Sequence, residues 1–136
     1  MNKKLFLFLI LSLPAFLFGQ SASSPCEKVF TKSEQIPSLK ISKESFADTL
    51  AATLQTKKFP RQTGEITYIF ILTTASQIEG LYIESGGVKK ENKLKESILH
   101  LADQWNPAIQ NGHVVCSYVT LKLVFKEDKI NIDIRQ

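Results

Sequence analysis

The chain has 136 residues, 43% of them hydrophobic and 22% charged, with 17 Lys and Arg against 13 Asp and Glu for a formal net charge of +4. That length suits one small domain with a single core. The first 19 residues carry Lys3 and Lys4 and no acid, so without them the net charge falls to +2, which excludes the basic footprint of a nucleic-acid-binding domain.

Residues 1–19, MNKKLFLFLILSLPAFLFG, place those two lysines ahead of an uncharged apolar run from Leu5 to Phe18, with the small residue Gly19 at its end. This is the pattern of a secretory signal peptide, with cleavage expected near Gly19 or Gln20. The run contains Pro14 and falls short of the roughly 20 apolar residues a membrane-spanning helix needs, so no membrane span is expected in the mature chain. Ser23, Ser24 and Pro25 precede Cys26 where a lipoprotein signal would carry Leu and small residues. The expected location is therefore the periplasm or the exterior.

Cys26 and Cys116 both survive cleavage. In an oxidising compartment such a pair most often forms a disulfide; the alternative is a free thiol at each position.

Residues 20–40 mix Ser, Pro, Lys and Glu with isolated apolar residues and read as an extended lead-in without a strong period. From Ser42, a plausible N-cap, Phe46, Leu50 and Leu54 recur every four residues beside Ala47 and Ala51, as on one face of a helix. Pro60 stops that helix. Gly64 then opens ITYIFIL (66–72), apolar at almost every position and suited to a central strand. TTASQ (73–77) turns the chain into IEGLYIES (78–85), giving a hairpin that Gly86 and Gly87 end.

Leu94, Ile98, Leu101 and Trp105 follow at spacings of four, three and four, the apolar face of a second helix that Asn92 could cap and that Pro107 and Asn111-Gly112 break. Trp105 is read as a core anchor at the end of that face. VVCSYVTLKLVF (114–125) is the last strong strand. Val115, Val119, Leu121, Leu123 and Phe125 line one face, interrupted by Ser117, and Cys116, Tyr118, Thr120 and Lys122 line a more polar one. A bridge from Cys116 would draw the lead-in across the sheet face away from the helices. After Glu127-Asp128-Lys129, Ile130, Ile132 and Ile134 alternate with polar residues as a short amphipathic strand. The order predicts an α+β fold, two helices packed on one face of a three- to four-stranded antiparallel sheet. The domain spans 41–126, with 127–136 as a C-terminal strand or tail.

Catalytic and metal signatures are missing from the sequence. His100 and His113 have no Cys, Asp or Glu at ligand spacing, and no nucleophile-elbow, zinc-protease or Walker pattern occurs. Gly86-Gly87 before Lys89-Lys90 lacks phosphate-loop spacing and reads as a solvated loop. Glu79 and Glu84, five apart on a strand, should point to opposite faces and so make a poor carboxylate pair. No enzyme activity, metal or cofactor is expected.

Several fragments, in order, resemble one family. VFTKSEQIP (29–37) is similar to a Val-Glu-x-Met-Pro lead-in, Phe59-Pro60 stands where Tyr-Pro is usual, and Gly64 opens a strand. Leu94 and Glu96 begin a helix, and WNPAIQNGHVV (105–115) keeps Trp105, Pro107, Gln110, Asn111, Gly112 and Val115 at the family spacing. Together they resemble the C-terminal domain of TonB energy transducers, particularly the version with an N-terminal extension. The resemblance runs from about Val29 to Phe125 and implies the α+β fold already outlined.

It also implies peptide binding by strand addition to a sheet edge, the partner being an outer-membrane transporter or another envelope protein. The receiving edge would be 114–125, with Gln110 and Asn111 in the turn beside it and Tyr118 and Thr120 on the strand as contacts. A homodimer through the sheet edge is a further expectation. Ser38-Leu39-Lys40 replaces the family's Gly-Gly, and Lys95 stands where an acid is common. The short lead-in leaves no anchor or Pro-rich spacer, so energy transduction by the usual route is not expected. INIDIR (130–135) suggests an alternative: paired with 114–125, it would cover the edge a partner needs, leaving an accessory or structural envelope domain.

Overall fold

Residues 26–136 are described by a computed structural model, and the signal segment expected at 1–19 lies outside them. Ser42 caps the first helix, α1 (Lys43–Thr56), its hydroxyl oxygen accepting the Ser45 backbone N–H. This satisfies one of the helix's unpaired first-turn donors. Phe46, Leu50 and Leu54 are buried along one side of α1, as their spacing predicts. The second helix, α2 (Glu91–His100), buries Leu94, Ser97 and Ile98. Helix and sheet residues share one core, in which Phe46, Leu50, Leu94 and Ile98 meet Ile66, Tyr68, Phe70 and Val119.

Among the described residues there are also eight strands: β1 (Val29–Phe30), β2 (Ser38–Leu39), β3 (Gln62–Leu72), β4 (Ile78–Gly86), β5 (Trp105–Asn106), β6 (Ala108–Gln110), β7 (His113–Glu127) and β8 (Lys129–Arg135). The fold is α+β, and the main sheet is mostly antiparallel with the path β1-β7-β3-β4. The long strands β3 and β7 pair from Gln62↔Glu127 to Leu72↔Ser117. In β3 the buried residues alternate strictly, Ile66, Tyr68, Phe70 and Leu72 facing the helices while Thr67, Ile69 and Ile71 face outward.

Several sequence expectations are corrected. Gly64 lies inside β3, whose pairing begins two residues earlier. Asn92 does not cap α2: the N-cap is Lys90, in a left-handed conformation with no side-chain cap bond. Trp105 does not continue α2. The helix ends at His100, a 3-10 turn covers Ala102–Gln104, and Trp105 is extended at φ −102 and ψ 141. Proline disfavours helical geometry in the residue before it, so Pro107 holds Asn106 extended, and β5 then pairs with β2 as Leu39↔Trp105 and Ser38↔Asn106. Trp105 is nevertheless fully buried.

The lead-in also differs from the expected path. The Cys26–Cys116 disulfide is formed, with Cα atoms 6.0 Å apart and 90 residues between them in sequence. From it the chain does not cross the sheet face but lies beside β7 as the parallel strand β1, Val29↔Cys116 and Phe30↔Ser117. A two-residue strand has no period to betray it, because its partner supplies the ladder.

Candidate interaction surfaces

The strand expected to receive a partner is β7. One of its edges is taken by β3; the other is occupied in sections. β1 opposes Cys116 and Ser117, and β8 runs antiparallel from Thr120↔Arg135 through Leu123↔Ile132 to Lys126↔Lys129. Between these two sections, among the described residues, Tyr118 and Val119 have no ladder partner on that edge. Alternation explains why β8 stays there. Ile130, Ile132 and Ile134 pack against the core from its margin, while Asn131, Asp133 and Arg135 share the outward side with Val124, Lys122 and Thr120.

The four residues expected to contact a partner do not form one accessible strip. Gln110 is not in the turn but ends β6, opposite His113. Its amide is engaged internally: Oε1 accepts the Glu34 backbone N–H at 3.0 Å, and Nε2 donates to Glu34 Oε1 at 3.3 Å. Gln110 therefore fastens the lead-in. Asn111 and Gly112 have φ 51 and 75, the paired positive values of a two-residue type I′ turn. The Asn-Gly sequence is thus explained by the β6–β7 hairpin, with Asn111 exposed at its tip. Tyr118 is exposed on the outward face opposite Ile71. Thr120 is half-buried between Ile69 of β3 and Arg135 of β8.

The opposite edge of the sheet is β4, and two irregularities break its template. Between Ile69↔Tyr82 and Ile71↔Glu79, β3 supplies Phe70 while β4 supplies both Gly80 and Leu81; between Thr67↔Ser85 and Tyr68↔Ile83, Glu84 is extra. Gly80 takes φ 62, a value glycine adopts without steric cost. Bulges of this kind twist an edge away from further pairing. They also overturn the expectation for Glu79 and Glu84. Glu79 pairs with outward-facing Ile71, and Glu84 lines a shallow outward cavity with Thr67, Thr120 and Lys122. Both carboxylates are therefore on the same face. Strict alternation failed there because the inserted residues reset it.

Polar chemistry in the interior is sparse. Tyr68 is fully buried, and its hydroxyl donates to Glu91 Oε1 at 2.7 Å. Burial, reinforced by this bond and the carboxylate charge, raises the phenol far above its ordinary range, so Tyr68 is a fixed donor. His100 and His113 are both exposed. Among the described residues no group of three or more His, Cys, Asp or Glu gathers at a metal-binding separation, and no helix is long and apolar enough to cross a membrane. No family model, curated protein or solved structure matches the chain.

Proposed function

We propose that this protein is an extracytoplasmic protein-interaction domain related to the TonB C-terminal type, acting as an accessory of the cell envelope with its strand-accepting edge occupied by its own last strand. The observation that carries this reading is the seven-pair ladder of β8 along Thr120–Lys126. Strand addition requires unpaired backbone donors and acceptors on the receiving edge, and β8 uses those that a partner peptide would need. The bulges of β4 count against that edge as a substitute. Location outside the cytoplasm is supported by the Cys26–Cys116 disulfide and by the signal-like N-terminus.

The second reading is strand addition after β8 moves aside, the partner then being an outer-membrane transporter or similar envelope protein. It is favoured by the Tyr118–Val119 gap, where a strand could begin to pair with β7.

Titration with extended peptides from transporter N-termini separates the two readings, using the intact chain and a chain ending at Asp128 whose fold is checked by the near-ultraviolet signal of Trp105. Binding by the shortened chain alone supports the closed edge. Equal binding by both supports the mobile strand. Retention of an envelope protein by the intact chain, with no peptide binding, supports an accessory that uses another surface.

A further inference from the structure

A groove of about 510 Å³ lies between the outer side of α1 and the turn that joins β7 to β8. One wall is helical: Asp48, Ala51, Ala52 and Gln55 are spaced three, four and seven from the first, on one face of α1. The other wall comes from Phe59, Pro60 and Arg61 and from Glu127, Asp128 and Ile130. Leu54 and Phe125 are buried at its base, and the Phe59 and Phe125 rings meet with centroids 5.6 Å apart. Ala51 and Ala52 give the helical wall short side chains. Its volume and its aromatic base with a few polar groups above are those of a ligand site.

The charges select what would enter. Three carboxylates, Asp48, Glu127 and Asp128, face the groove against one guanidinium, Arg61. Arg61 Nη2 lies 3.3 Å from Asp128 Oδ2, so that pair is already matched. Among the described residues Asp48 and Glu127 have no ion-pair partner, and both are exposed. The groove is thus acidic on a chain whose formal net charge is positive.

The geometry points to a peptide-docking groove that takes a short apolar segment carrying Arg or Lys, with the apolar side chains on Phe59, Phe125 and Ile130 and the cation between Asp48 and Glu127. Naming a peptide as the ligand rests on the reading of the chain as an interaction domain. Two of its lining residues, Phe125 of β7 and Ile130 of β8, are opposite partners in the outer ladder. Because Ile130 and Asp128 wall the groove, the strand that closes the β7 edge also builds this second surface.

The test is amide chemical-shift titration of the full mature chain with acetyl-Leu-Phe-Arg-Leu-amide, acetyl-Leu-Phe-Glu-Leu-amide and inert salt. The Arg peptide should saturably shift the amides of Ala51, Phe59, Arg61 and Ile130, and the Glu peptide should bind about tenfold more weakly. Asp48 and Glu127 are both exposed, so Asp48→Asn with Glu127→Gln should weaken the Arg peptide about fivefold or more without altering the fold. Asp48→Lys with Glu127→Lys should reverse the preference. Ala52→Leu should block both peptides by filling the space. No saturable shift in the groove amides, or equal binding of the two peptides, would overturn the proposal. If neither peptide shifts the groove amides while the intact chain still retains an envelope protein, the groove assignment fails and the interaction-domain reading stands.

Discussion

Leu123 of β7 and Ile132 of β8 are opposite partners in an antiparallel ladder, with Leu123 fully buried and Ile132 packed at the margin of the same core. The last strand is therefore held by burial as well as by backbone bonds. Ile132→Ala should cost about 1–2 kcal/mol, below the roughly 2–5 kcal/mol of a fully buried Ile-to-Ala change because the site is only half-buried. Asn131→Ala, one residue away on the exposed side, should cost less than about 0.5 kcal/mol. Urea denaturation of the two variants checks the contrast; equal effects would place β8 loosely on the sheet.

The disulfide joins residues 90 apart and fixes the start of β1 against β7. Limiting so long a loop in the unfolded chain stabilises the fold by about 4 kcal/mol on the chain-entropy argument. Cys26→Ser with Cys116→Ser should lower stability by that order and speed exchange of the Val29 and Phe30 amides. A stability unchanged by reduction would show that the bridge adds nothing to the packing around it.

Trp105 is fully buried and stands edge-on to two rings, with centroids 6.1 Å from Phe46 and 5.5 Å from Phe70. Trp105→Ala should cost about 3–5 kcal/mol as a core truncation. Ser117, also fully buried, has no hydrogen-bond partner for its hydroxyl, and removing an unpaired buried polar group relieves a desolvation cost of about 1–3 kcal/mol. Ser117→Ala should therefore be neutral or stabilising. Thermal and urea unfolding of the two variants should move in opposite directions or leave Ser117→Ala level with the parent.

Tyr68 sets an alkaline limit. Its folded phenol is raised above its ordinary value, so the contribution is fully present below the unfolded pKa of about 10 and is lost as pH rises towards the folded one. Above about pH 10 the unfolded chain releases a proton that the fold retains, and stability should fall by about 1.4 kcal/mol per pH unit from this group. Tyr68→Phe should remove that slope, at the cost of the bond to Glu91. Unfolding midpoints between about pH 9 and 11 for the two proteins check it; parallel slopes would contradict the assignment.

What the sequence made legible was whatever has a period or a local cap. Ser42, the four-residue spacing in α1 and the alternation in β7 and β8 each specify structure from neighbouring residues alone. Trp105 was legible as a core residue but not as a strand, because its backbone is set by Pro107 ahead and by Leu39 far behind. Glu79 and Glu84 escaped because two inserted residues in β4 reset the alternation. Gln110 looked like a partner contact, since a polar residue beside a turn gives no sign that Glu34 is waiting for it. The groove was hidden for the same reason: its walls are 48–61 and 125–130, brought together only by the tertiary fold.

The central claim is that β8 occupies the outer edge of β7, and amide hydrogen exchange of the intact mature protein tests it most directly. The β8 amides that bond to β7 within residues 130–134 should exchange with protection comparable to that of the β3–β7 ladder, and an added extended peptide should leave that protection unchanged. Rapid exchange throughout 130–134 in the free protein would contradict the account, because the edge would then be open to a partner.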